Sequence, residues 1–241
     1  MKYKLTDVKI NFMGKTLFQI EAVKCFGDIV KGQKGGFIEK ESNLSQGGNA
    51  WVYGNAKVYG NAKVRGDAWV YGNAEVYGDA KVYGNAWVYG NAEVYGNAWV
   101  SGDAEVYGDA KVYGNAKVSG DAEVYGNAWV YGNAWVYGNA EVYGNAKVRG
   151  DAEVRGDAEV YGNAEVYGNA DYLVIGPIGS RNDITTFFKT ANNDIKVSCG
   201  CFTGNIEEFL EKVNETHGNN NYAKEYKTAV EIAKIHIFGG E

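Results

Sequence analysis

Two histidines, three cysteines and one glycine-containing loop with an arginine are the parts of this 241-residue chain whose types could do chemistry. A histidine can act as a general base because its unperturbed pKa lies near neutrality. The two present, His217 and His236, both fall outside the repeats that fill the middle of the sequence. Cys199-Gly-Cys201, joined by Cys25 and His217, has the residue types of a metal site, but a lone C-x-C lacks the second half of the zinc spacings. In a strand with Ile195 and Val197, both thiols would share the inward face and behave as small hydrophobes. The loop Ile175-Gly-Pro-Ile-Gly-Ser-Arg-Asn offers Ser180 and Arg181 to an anion or other ligand. It lacks the spacing of either nucleotide-binding glycine motif, so a plain turn between strands competes with that reading. No catalytic residue, metal ligand or cofactor is assigned.

The element that must position everything else is the repeat itself. From Ala50 to Asn169 one unit, Ala-x-Val-Tyr-Gly-Asn, recurs twenty times without insertion or deletion. Ala holds the first place, Val the third, Gly the fifth, and Asn or Asp the sixth. The second place is Trp, Lys or Glu; the fourth is Tyr, Arg or Ser. Ala and Val are two apart and point the same way in an extended chain, with the variable residue opposite. Gly followed by Asn or Asp is turn chemistry. Gly at every sixth residue would cripple a helix, and hairpins need longer strands. A short period of this kind predicts a solenoid whose strands pair with those above and below.

The unit resembles the hexapeptide repeat of left-handed parallel β-helix proteins, an aliphatic residue followed four places on by a small one. That resemblance implies three hexads to a triangular coil of 18 residues and supplies the left-handed sense, which runs against the usual crossover rule. It also implies acyltransferases among the relatives, typically trimers that bind a CoA-type donor between coils and use a His as base. No His and no loop interrupts these repeats. The lead-in segment Gly35-Gly-Phe-Ile-Glu with Asn43-Leu-Ser is similar to the start of uncharacterised phage and bacterial hexapeptide-repeat proteins, some of them labelled transferases.

With 18 residues to a coil, sequence spacing becomes vertical columns. The first face carries Trp51, Trp69, Trp87, then Glu105, Glu123, Glu141 and Glu159, beside a column of tyrosines from Tyr53 to Tyr161. Its aromatic end, Trp51, Tyr53, Trp69, Tyr71, Trp87 and Tyr89, forms a flat patch and is the candidate interface. Stacked glutamates repel at rung spacing, and a basic partner would relieve them. Aromatic columns also stabilise a solenoid by stacking alone, and that reading stands beside the interface. The third face interrupts its tyrosines with Arg65, Ser101, Ser119 and Arg155.

The flanks divide the chain into three: 1–49, an N-terminal β cap with an irregular first coil; 50–170, the β-helix; and 171–241, a small α+β module of ββαα order. Gly14-Lys15 reads as a hairpin turn. Ile38 and Leu44 lie six apart, and Leu44 to Val52 slips by two. Tyr172 to Ile178 is expected to continue the strand phase, Asn192-Asn-Asp to turn a hairpin, Asn205 and Glu208 to cap a helix, and Gly218 to end it. The fold class is therefore mainly β. A net charge of −6 with Lys and Glu interspersed singles out no nucleic-acid surface. No run of ~18 apolar residues predicts a membrane span, the first residues lack a signal-peptide core, and odd thiols suit a reducing, cytoplasmic setting.

The functional expectation is a non-catalytic scaffold or binding protein, phage or mobile-element encoded, acting through the aromatic face on another copy or a host protein. Two alternatives stand beside it. One is acyl transfer; the other is a phage protein that sequesters a host defence factor or a nucleotide signal near Ser180 and Arg181.

Overall fold

The computed structural model describes residues 1–239. Three lead-in strands, β1 (Tyr3–Phe12), β2 (Lys15–Ala22) and β3 (Lys34–Ile38), precede twenty two-residue strands from β4 (Trp51–Val52) to β23 (Glu165–Val166). After them come β24 (Tyr172–Ile178), β25 (Asp183–Lys189), β26 (Ile195–Cys199) and β27 (Phe202–Asn205), then helices α1 (Ile206–His217) and α2 (Asn221–Phe238).

The hexads wrap three to a turn into a parallel β-solenoid of about seven turns. Trp51 pairs with Trp69 and Trp69 with Trp87, so positions eighteen apart are neighbours. Every Ala and Val of the twenty hexads is fully buried. The interior is thus a dry stack of two residue types, while second and fourth places face outward. Backbone donors at the second, fourth and sixth places reach carbonyls of the next turn; Trp69, Tyr71 and Asn73 do so at 3.0, 3.0 and 2.8 Å. Gly at the fifth place is required twice over. Gly90 has φ +70°, and a Cβ there would stand 2.9 Å from the backbone nitrogen of Gly108 one turn on.

The walls are three sheets. The first has seven strands and the third six, all contributed by hexads; the second has ten because β1, β2 and β3 extend it. The expected irregular first turn is present: Ile38 pairs with Val58 and Leu44 bridges Val64, both parallel. The lead-in closes the open end of the barrel. Buried Asn43 donates to the carbonyls of Ala62 at 2.9 Å and Gly60 at 3.1 Å. Buried Lys2 donates to Ala50 O at 2.6 Å, and the Tyr3 hydroxyl to Leu44 O at 2.8 Å. These groups answer a polar edge that would otherwise lie unpaired against apolar side chains.

The far end is closed by a module with four strands rather than the two expected. β24 through β27 form an antiparallel meander in chain order. The hexad phase ends at Tyr172, which joins the solenoid core; Leu173, Ile175 and Ile178 turn instead to the module. β27 escaped notice because it is only four residues long and leads straight into the helix cap. Alternation in β25 joins the two cores. Phe188 enters the solenoid, edge-on to Tyr161 at 4.9 Å, while Phe187 packs with Phe209 of α1. The helix signals held: Asn205 and Glu208 make a reciprocal capping box at 2.8 Å each way. No described helix is long and apolar enough to cross a membrane.

Candidate functional site

The first face carries the candidate interface, and the structure divides its six residues unequally. Trp51 is fully buried, packed edge-on by Tyr3 and Phe26 of the lead-in at 6.3 and 5.4 Å. It therefore leaves the exposed patch and becomes part of the end closure. Its indole nitrogen finds no hydrogen-bond partner among the described residues. Trp69, Tyr71 and Tyr89 are half-buried, while Tyr53 and Trp87 are exposed at 47% and 43%. Tyr71 is edge-on to Trp87 at 6.0 Å, and a continuous ring stack runs from Tyr71 to Tyr161 with centroids 4.7–5.2 Å apart.

Below the aromatics, the glutamate column does not depend on a basic partner. The hydroxyls of Tyr89, Tyr107 and Tyr125 donate at 2.8 Å to Glu105, Glu123 and Glu141, each sixteen residues on. Glu159, the last of the column, accepts from Ser198 of the module at 2.5 Å. Charge-assisted bonds of this kind are shorter and stronger than neutral ones and spread the carboxylate charge into the stack. Burial first, then the bonded carboxylate, holds those tyrosine hydroxyls far above their ordinary range, so they remain donors. The second face repeats the device with Tyr59 to Glu75 and Tyr77 to Glu93 at 3.1 and 3.0 Å. The signal was present in the sequence: a fourth-place Tyr precedes by sixteen a second-place Glu.

Corner residues form a third network. Asn97 donates to Asn115, Asn115 to Asn133 and Asn133 to Asp151, at 3.1, 3.0 and 2.9 Å. An amide can pass the chain on; an Asp accepts but cannot donate, so a run that reaches one stops there, as this one does at Asp151.

The loop at Ser180 and Arg181 opens on a cleft of about 530 Å³ between α1 and the turns of the module's sheet. The structure brings Cys199, Cys201 and His217 to the same cleft, floored by Phe202 and Phe209. Cys199 is half-buried and accepts from the Thr185 hydroxyl at 3.2 Å. Cys201 departs from expectation: it lies exposed in the turn, its Sγ 4.0 Å from the Arg181 guanidinium, rather than inward with Val197. Cys25 sits in the lead-in at the opposite end. Among the described residues no His, Cys, Asp and Glu group of three or more is arranged to hold a metal ion. Tyr226 closes the floor, its hydroxyl pushed up to about 12 by burial and then by Cys199. His236 is carried back to the solenoid by α2, its Nε2 3.2 Å from Asn169 O.

Residues 86–102 and 122–138, each close to one full turn, match the family described as the YdcK beta solenoid repeat. No curated protein matches the sequence. Together with the three-walled geometry, the match identifies the middle of this chain as a β-solenoid repeat.

Proposed function

We propose that this chain is a non-catalytic scaffold that holds another protein against the aromatic end of its first face. One observation carries the reading. Tyr53 and Trp87 stay exposed on a flat wall, whereas the glutamates beneath them are already bonded within the chain. An apolar aromatic patch set beside satisfied polar columns is what a protein contact uses, with aromatic anchors at its centre. The resemblance of the lead-in to phage and bacterial hexapeptide-repeat proteins supports a partner in the host cytoplasm. Trp69→Lys with Trp87→Lys is the test, with Glu123→Lys as a control on the same wall. Loss of a partner from cell extract with the tryptophan variant alone supports the reading. Equal recovery by all three chains, or no partner for the wild type, defeats it.

A second reading is favoured by the cleft at Ser180 and Arg181. Its volume falls within the ~300–1,000 Å³ of small-molecule sites. A guanidinium on the rim and phenylalanines on the floor suit a small anionic ligand with an apolar body. A thermal shift with nucleotides and aromatic carboxylates, lost in Arg181→Ala, tests it; no shift with either class sinks it.

A further inference from the structure

The third face differs from the other two in what its charges meet. On the second face, Lys57, Lys111 and Lys147 pair with Glu75, Glu93 and Glu165 at 3.2, 2.8 and 3.2 Å. On the third, Lys63, Arg65, Lys81 and Lys117 form no ion pair among the described residues. Between them stand two exposed indoles, Trp99 at 38% and Trp135 at 37%. None of these four meets a described carboxylate; Arg65, Lys81 and Lys117 lie over rings of their own chain at 5.9, 4.9 and 5.4 Å, which leaves their outer sides and Lys63 open to a counterpart.

The order of residues on this face says what the counterpart is. Its fourth-place column runs Arg65, Tyr83, Ser101, Ser119, Tyr137, Arg155 and reads the same in both directions. The corner beside it runs Asp67, Asn85, Asp103, Asp121, Asn139, Asp157 and does so too. The second-place column, Lys63, Lys81, Trp99, Lys117, Trp135, Glu153, is complementary to its own reversal. An isologous contact requires self-complementarity, each residue fitting the partner's copy of the residue opposite; the second-place column meets that requirement, while the other two columns set like residues against each other.

We propose that the third face binds a second copy of this chain, with solenoid axes antiparallel and a two-fold axis lying along the strands between Trp99–Val100 and Lys117–Val118. Lys63 then faces the partner's Glu153, Lys81 the partner's Trp135, and Trp99 the partner's Lys117. Each pairing is a salt bridge or a cation over an aromatic ring, and symmetry makes every one of them twice. The same chemistry already operates within one chain, where Lys81 lies 4.9 Å from the Trp99 ring and Lys117 5.4 Å from Trp135. Arg65 faces the partner's Arg155, and its counter-charge is the partner's Asp157 two places along the same rung; the symmetry repeats this with Arg155 and the partner's Asp67. At the axis, Ser101 and Ser119 replace the tyrosine that fills this place in fifteen of the twenty hexads, so the walls can close together.

Three like-charge pairings oppose the contact: Asp103 meets the partner's Asp121, Asp67 the partner's Asp157 and Arg65 the partner's Arg155, the last two offset by the diagonal approaches of arginine to aspartate. Size sets the strength. Six rungs at ~4.8 Å by roughly five extended residues at ~3.3 Å outline about 480 Å² per copy. Twice that lies near the ~1,000 Å² lower bound of specific interfaces, where contacts are weak or transient, so a reversible, concentration-dependent dimer is the expectation. This surface is separate from the first-face patch, so the two proposals fail independently.

Charge exchange tests the register. Lys63→Glu and Glu153→Lys, each alone and then together, use residues already found at the second place of other hexads, which keeps the wall intact. Sedimentation equilibrium of the full chain should show a reversible dimer that either single change weakens roughly tenfold and the double change restores. Ser101→Tyr with Ser119→Tyr returns the commonest fourth-place residue, so folding is preserved while the axis is wedged open and the dimer weakens. Asp103→Asn with Asp121→Asn should tighten it. A monomeric or trimeric wild type, or a double exchange no tighter than the singles, overturns the proposal.

Discussion

The wall of the solenoid and the closures at its ends are built from overlapping residue types under opposite rules. In the wall, a place in the hexad decides what a side chain meets, and twenty copies share each environment. In the closures every contact is unique. Trp51 and Trp87 make the difference concrete: they share a column and a hexad place, yet one is fully buried and the other 43% exposed. Periodicity assigns the direction in which a residue points; only the sequence-distant Tyr3 and Phe26 decide whether anything covers it.

The largest expected effect breaks that pair apart. Trp51→Lys puts an unpaired charge into the end closure and should cost more than about 4 kcal/mol, whereas Trp87→Lys should stay within about 0.5 kcal/mol. Urea unfolding of both variants checks this; equal losses would mean that Trp51 is not covered.

Alkaline pH sets Lys2 of the closure against the tyrosines by sign. Burial holds the Lys2 ammonium down at about 8 from its ordinary 10.5. Between those values the folded chain carries fewer protons than the unfolded one, so this lysine makes stability rise with pH. The tyrosine columns do the reverse. Their hydroxyls titrate above the ordinary 10.0 when folded, so the folded chain holds more protons and stability falls as pH climbs past 10. A gentle rise from pH 8 followed by a steep fall is expected, with Lys2→Met removing only the rise.

Glycine sharpens the comparison further. Gly90→Ala places a Cβ against the Gly108 backbone at a positive φ and should cost about 2–3 kcal/mol. Gly14→Ala, at φ +75° in the lead-in hairpin with nothing within 4 Å of the new carbon, should cost only about 1 kcal/mol. Melting temperatures rank the two, and equal shifts would mean that turn stacking contributes nothing.

The smallest effect concerns hydroxyls. Tyr107→Phe removes one bond to a solvated carboxylate and should cost about 0.5 kcal/mol, while Tyr3→Phe strips a buried donor from two carbonyls and should cost about 1–2 kcal/mol. The reverse order would show that the glutamate column leans on its tyrosines more than the closure does on Tyr3.

What could be read beforehand follows the same division. The solenoid and its buried Ala and Val come from the period; three hexads to a turn, and with it the pairing of Trp69 and Trp87, come from the resemblance to hexapeptide-repeat proteins. The irregular turn through Ile38 and Leu44 was legible as a phase slip. The burial of Trp51 was not, because its hexad is like the others and its cover is forty residues or more away for Tyr3 and twenty-five for Phe26. Four strands in the terminal module looked like two, since Phe202–Asn205 is too short to show alternation. Cys201 was placed inward by extending the strand of Val197 past Gly200, where the chain actually turns. Of the candidate residues, Ser180 and Arg181 were found as a loop, but the cleft behind them needs Phe209 and His217 from a helix.

A rung of fixed length also makes the molecule a ruler. Removing residues 104–121 would join Asp103 to Ala122 and regenerate each hexad boundary, shortening the distance between the two ends by one step of ~4.8 Å. Span can therefore be gained or lost by whole duplications without redesign of any contact in the wall. Whatever the ends grip, their separation is set in quantised increments that unequal recombination can supply.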